Sequence, residues 1–145
     1  MIGHELIVWS ESLITGVTEM DEQHRILVNS INEANTRLAE HVSTEILDQI
    51  TRDLLSYALY HFETEEALMQ TYNYSEASLA DSDLHMKQHR EFSATVVAVR
   101  EGIKAGRLMS REDLLSFLNN WLINHILNTD IRLAAHILAC RAATT

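Results

Sequence analysis

The stretch ILDQITRDLLSYALYHFETEEAL, residues 46–68, places Ile46, Ile50, Leu54, Tyr57, His61, Glu65 and Leu68 at three- and four-residue steps. That is the period of one face of an α-helix, not the two-residue alternation of a half-buried strand. Neither glycine nor proline interrupts the stretch, and Ser43-Thr44-Glu45 ahead of it offers a helix start. A long helix with one inward face must bury that face against other elements.

Three further stripes supply those partners. Thr18-Glu19-Met20-Asp21 reads as a capping-box-like start, a hydroxyl followed three residues later by a carboxylate. It opens His24, Leu27, Val28, Ile31, Ala34 and Leu38. A third stripe runs His85, His89, Phe92, Val96, Val99, Ile103, with Gly102 and Gly106 at its end. Ser110 with Asp113 opens the fourth, which carries Leu114, Phe117, Leu118, Trp121 and His125. Between the second and third, residues 72–83 are rich in Asn, Ser and Asp and read as a loop. Short connections predict antiparallel neighbours. The expected fold is all-α: an up-down-up-down antiparallel four-helix bundle over residues 18–128, behind an N-terminal arm of residues 1–17. Residues 129–145 form a C-terminal segment with a short helix over 131–140.

Composition agrees and narrows the function classes. A chain of 145 residues is one domain on the length prior, and 46% hydrophobic residues are enough for a core. With no proline and 4 glycines, the chain is too poor in turn formers for a many-turned β-sandwich. The net charge of -10 argues against nucleic acid or an anionic membrane as partner. Cys140 is the single cysteine, so no internal disulfide forms, which suits a reducing compartment. The first ten residues lack a basic region and a long apolar run, so no signal peptide is expected, and the expected location is cytoplasmic. No stretch approaches the ~18 apolar residues of a membrane span.

Eight histidines stand out against this background. His24, His61, His85, His89 and His125, with Glu65 and Asp130, occupy the inward stripes or their ends, where an unpaired polar group costs free energy. His61 with Glu65, and His85 with His89, are four apart and project from one helix face. Each stripe also places its histidine ~22–25 Å from the same far end of the bundle once the helices alternate in direction. Asp130 is the exception to simple geometry. Five steps from His125 turn it about 140° away on a regular helix, so it reaches the others only through a π-type bulge or a helix end. His4, His41 and His136 read instead as surface or hydrogen-bonded core residues.

Imidazoles and carboxylates together suit zinc, copper, iron or nickel. Seven groups are too many for one tetrahedral zinc and fit a pair of six-coordinate metals with bridging carboxylates. Carboxylate-rich di-iron bundles use two Glu-x-x-His motifs, and none occurs here.

Collected in order, Trp9, Gly16-Val17, Met20-Asp21-Glu22-Gln23-His24, His61-Phe62-Glu63-Thr64-Glu65-Glu66, Met69, His85-Met86-Lys87-Gln88-His89, Trp121-Leu122, His125-Ile126 and Asp130 resemble the hemerythrin family, specifically its bacterial members. The likeness spans Trp9 to Asp130. It implies two non-haem irons, with His85, His89 and His125 on one and His24 and His61 on the other. Glu65, Asp130 and an oxo or hydroxo group would bridge them, and dioxygen would bind at the iron with two histidines. The stretch between His61 and His85 departs from the family by about five extra residues and by lacking its proline after an aromatic. The resemblance also gives a reason for reversibility. Two ferrous ions, two carboxylates and a hydroxide carry the same net charge as two ferric ions, two carboxylates, an oxo group and a hydroperoxide, so the buried site solvates no new charge.

The resulting expectation is an oxygen carrier or store, not an enzyme, with dioxygen as its ligand. The alternative is an oxygen- or redox-sensing module that signals to a partner protein through the iron state. A third class, a peroxidase or nitric oxide reductase, lacks a substrate-pocket signature in this sequence.

Overall fold

The computed structural model describes residues 6–107 and 109–143, and His4 lies outside them. Among the described residues all regular structure is helical. The helices are α1 (Thr18–Glu40), α2 (Thr44–Thr71), the single turn α3 (Tyr74–Ala77), α4 (Leu79–Lys104), α5 (Arg111–Asn124) and α6 (Ile131–Ala143). A π-helical turn, His125–Asp130, joins α5 to α6 without a break. α2 packs against α1 and α4, and α1 against α5. Phe92 of α4 closes the ring, its centroid 5.6 Å from Phe117 and 4.6 Å from Trp121 of α5. This is the expected four-helix bundle.

Local chemistry sets several helix ends. The Ser43 and Ser110 hydroxyls accept the backbone N–H groups of Ile46 and Asp113, as their positions in the sequence predict. α4 ends near Gly106, whose φ of 82° is the left-handed conformation that favours glycine. The start of α1 differs from expectation. Thr18 is already helical and caps nothing, while the Asp21 carboxylate accepts the Thr15 hydroxyl and the backbone N–H groups of Thr15 and Gly16. The hydroxyl that pairs with Asp21 is therefore Thr15. Asp21 ties the arm to the helix end instead of closing a capping box.

The expected loop over residues 72–83 is mostly helical. Ser78 accepts the backbone N–H of Asp81, so α4 starts at Leu79, ahead of the predicted point. α3 fills much of the remaining connection, and Asn73 (φ 52°) makes the turn into it. Tyr74 of that turn is buried and packs into the core. The second stripe also shifts by one position at two places: Leu47 and Ala58 take fully buried positions, while Ile46 and Tyr57 are half-buried.

Two apolar clusters fill the interior. The large one includes Leu27, Ile31, Leu54, Phe92, Val96 and Leu118. The smaller, with Val17, Met20, Met69, Tyr74, Leu133 and Ile137, closes one end of the bundle. Three Leu/Ile/Ala positions of α6 (Leu133, Ala134 and Ile137) are fully buried, which explains why that helix runs to Ala143, beyond the predicted stretch. Along α1 the buried polar layer falls between Met20 and Leu27, along α2 between Ala58 and Met69, and along α5 to α6 between Leu122 and Leu133. Among the described residues no helix is long and apolar enough to cross a membrane.

Candidate metal centre

All seven groups singled out in the sequence meet in that layer. His24 comes from α1, His61 and Glu65 from α2, His85 and His89 from α4, and His125 and Asp130 from the two ends of the π turn. Each is buried. The other histidines lie elsewhere. His41 is exposed at the far end of α1, and half-buried His136 donates from Nε2 to the carbonyl oxygen of Tyr72.

The contacts divide into two sets. Glu65 Oε2 lies 3.1 Å from His24 Nε2 and 3.0 Å from His61 Nε2. Its other oxygen, Oε1, lies 3.0 Å from the Nε2 atoms of both His85 and His89. Asp130 repeats the division: Oδ2 is 2.8 Å from His24 Nε2, whereas Oδ1 is 3.2 Å from His85 Nε2 and 3.0 Å from His125 Nε2. One oxygen of each carboxylate thus faces a three-imidazole set and the other a two-imidazole set. The residues fall into two overlapping groups able to hold a metal ion, Glu65, His85, His89, His125 and Asp130 in one, His24, His61, Glu65 and Asp130 in the other.

The outer nitrogens set the tautomer of the neutral rings. His61 Nδ1 donates to Gln23 Oε1 at 2.7 Å, His125 Nδ1 to Gln88 Oε1 at 2.6 Å, and His89 Nδ1 to Glu66 Oε2 at 2.8 Å. A neutral imidazole with its proton on Nδ1 presents a lone pair at Nε2. In the neutral rings, three Nε2 lone pairs would then face carboxylate oxygens at about 3 Å. His61 Nε2, His125 Nε2 and both Asp130 oxygens make no hydrogen bond despite that proximity. Acceptors turned toward one another in a buried layer are satisfied by protons or metal ions placed between them. The donor set fits a metal pair on this observation.

Without metal, protons take part of that role. Burial opposes protonation of His24, but hydrogen bonds and charge from Asp130 and Glu65 outweigh it and push His24 up to about 10. Burial likewise opposes Asp130 and Glu65 at His85, which rises to about 9. Burial opposes protonation of His125 too, and charge and hydrogen bonds from Asp130 and Glu65 raise it nonetheless. The Nδ1 atoms of His24 and His85 have no hydrogen-bond partner, and both rings turn Nε2 to the carboxylates. For His89 burial wins and holds it below its ordinary value. Burial would raise the carboxyl groups, yet the surrounding imidazoles hold both Glu65 and Asp130 far below the usual carboxylate range.

Aromatic rings wall the three-imidazole side. Phe62 stacks on His89 at 3.9 Å and Trp121 on His125 at 4.4 Å, each within 13° of parallel. These contacts fix ring planes that hydrogen bonds alone leave free to tilt.

Gln23, Gln88, Glu66 and Thr64 enter the sequence reading only as part of the family likeness, and Thr129 does not enter it; none was given a task at the centre. Gln23 Nε2 donates to Thr64 while its oxygen holds His61, and Gln88 Oε1 accepts from both His125 and the Thr129 hydroxyl. The available signal was adjacency. A glutamine directly precedes His24 and His89, and Glu66 directly follows Glu65. Each is one step off the inward face, where it reaches a histidine of the layer on a neighbouring helix.

The family model described as the Hemerythrin HHE cation binding domain matches residues 15–137, a span that contains all seven groups. The chain belongs to the hemerythrin family. Among its hemerythrin relatives, the bacteriohemerythrin of Pseudomonas aeruginosa is 33% identical over 126 residues, covering 86% of this chain and 76% of that protein. The bacteriohemerythrin of Stenotrophomonas maltophilia is 30% identical over 137 residues, 92% of this chain and 83% of that one. A crystal structure of wild-type hemerythrin has the same fold, with a TM-score of 0.80 at 24% identity over 92% of this chain and 98% of that chain.

Proposed function

We propose that this hemerythrin-family chain binds dioxygen reversibly at a pair of non-haem irons and serves oxygen transport, storage or delivery. In this reading His85, His89 and His125 would hold one iron and His24 and His61 the other, with Glu65 and Asp130 shared between them. The supporting observation is the division of each carboxylate between a three-imidazole and a two-imidazole set. When bound, the iron pair supplies the electrons that let dioxygen bind and leave.

The protein's part is to hold, orient and keep dry. Glu65 and Asp130 set the spacing of the pair, and Gln23, Gln88 and Glu66 keep three imidazoles in the tautomer that offers Nε2 inward. The two-imidazole side has one nitrogen donor fewer, which leaves coordination for an exogenous ligand there. Buried Leu27, Phe62 and Ile126 on one side of the layer, and Met20, Met69 and Leu133 on the other, exclude water that would promote oxidation. The chain acts as a binding protein in this reading, not an enzyme, and its single free cysteine suits a cytoplasmic setting.

The test is to load the protein anaerobically with Fe(II), admit air, and degas, following visible absorption. A carrier gains an absorption band in air and loses it on degassing over repeated cycles. Rapid one-way oxidation with a change in shape or assembly supports the sensing alternative. Sustained oxygen consumption with an electron donor marks an enzyme.

A further inference from the structure

The five imidazoles that face the centre are not equivalent at their outer edges. Neutral amide oxygens of Gln23 and Gln88 receive the Nδ1 protons of His61 and His125. His24 and His85 have no Nδ1 partner. Among the five, His89 alone meets a carboxylate, Glu66 Oε2 at 2.8 Å. The neighbour that follows Glu65 on α2 points about 100° away from it. One carboxylate of the pair therefore enters the centre, while the next passes round His89 to its outer edge.

A hydrogen bond from N–H to a carboxylate is charge-assisted and stronger than one to an amide. It shifts electron density through the ring and makes the opposite nitrogen a stronger donor to a metal. The stacked Phe62 ring already fixes the plane of His89, so the hydrogen bond to Glu66 adds more than orientation. Its distinctive contribution is charge. Glu66 is about a third exposed, at 34%, on a surface cleft it shares with Leu59, Phe62, His89 and Arg90, so solvent moderates the effect without abolishing it.

We propose that Glu66 is a positioning residue that makes His89 the strongest electron donor of the five imidazoles and biases the metal held by His85, His89 and His125 toward its oxidised state. The inference rests on the two-metal reading above. It makes the two metal positions unequal in donor strength as well as in ligand number.

Glu66→Gln keeps an acceptor oxygen at the same reach and removes the charge. Two readouts follow: Co(II) affinity by chelator competition, and the reduction potential of the iron-loaded protein by anaerobic redox titration. The variant should keep two metals per chain, bind Co(II) about 10–100-fold more weakly, and show a higher potential than the wild type. Gln88→Glu gives His125 a carboxylate in place of an amide and should lower the potential. This opposite sign carries the test even if Glu66→Gln loses metal altogether. Wild-type affinity and potential in Glu66→Gln, or an unchanged or raised potential in Gln88→Glu, overturns the role of Glu66 while leaving the two-metal reading intact. A wild-type chain that takes up no pair of cobalt ions overturns both.

Discussion

Asp130 stands five residues beyond His125, and its Oδ1 nonetheless lies 3.0 Å from His125 Nε2. A regular helix would turn it about 140° away. The π turn His125–Asp130 absorbs the extra residue, bringing the two side chains to one face while the chain stays helical on both sides. Gln88 braces that turn at two points, accepting from His125 Nδ1 and from the Thr129 hydroxyl. The continuity matters as well, since α6 then carries Leu133 and Ile137 over the buried layer.

Gln88→Ala should loosen this turn. It strips the acceptor from a buried imidazole N–H and a buried hydroxyl, at a cost of roughly 1–3 kcal/mol. The urea midpoint of the metal-stripped variant should fall accordingly, and its Co(II) affinity should drop by about 10–100-fold. A variant with both quantities unchanged would mean that the turn holds itself.

Glu65→Ala should lose metal at both positions, because Glu65 offers one oxygen to each imidazole set. His41→Ala should retain full metal content, since His41 is exposed at the opposite end of α1. Elemental analysis of the two reconstituted variants separates the outcomes. Equal loss in both would contradict the placement of the centre.

The pH dependence of the metal-free protein follows from the same contacts. His24 and His85 are raised from 6.5 to about 10 and about 9, so their stabilisation is complete below about pH 6.5 and is lost as pH rises through 9 and 10. Glu65 and Asp130 are lowered, so theirs is present above the ordinary carboxylate range and lost on acidification. Urea midpoints should therefore decline on both sides of mildly acidic pH. Metal affinity should run the other way on the alkaline side, tightening toward pH 9 as fewer protons must be expelled. A midpoint that climbs from about pH 7 to 10 would contradict the assignment.

Much of this was readable from the residues. The stripes containing His24, His61, His85 and His125, taken with helix rise, place these histidines at one height, because helix geometry is rigid over such lengths. The need for a π turn or a helix end at Asp130 was legible too, as a mismatch between position and chemistry. What was not legible depends on tertiary contacts. Thr15 rather than Thr18 pairs with Asp21 because the arm folds back on α1. α4 begins at Leu79 because Ser78 caps it, although the surrounding composition reads as loop. The partners of the outer nitrogens lie just off the inward faces, where periodicity carries no information about which neighbouring helix a side chain reaches.

Metal binding should hold one end of the bundle together. In the metal-free protein, segments around residues 61–68, 85–89 and 125–130 should exchange amide hydrogens faster than residues 47–54 and 96–99, which pack in the large apolar cluster. Loading with metal should protect the first group selectively. Uniform exchange across both regions, with and without metal, would show that the centre contributes nothing to local stability.

The most direct measurement is the iron content of the chain after anaerobic reconstitution and removal of loosely bound metal. Two imidazole sets that share Glu65 and Asp130, one carboxylate oxygen on each side, predict two irons per chain. A saturating value of one iron per chain would contradict the division of the carboxylates on which the whole reading of the site depends.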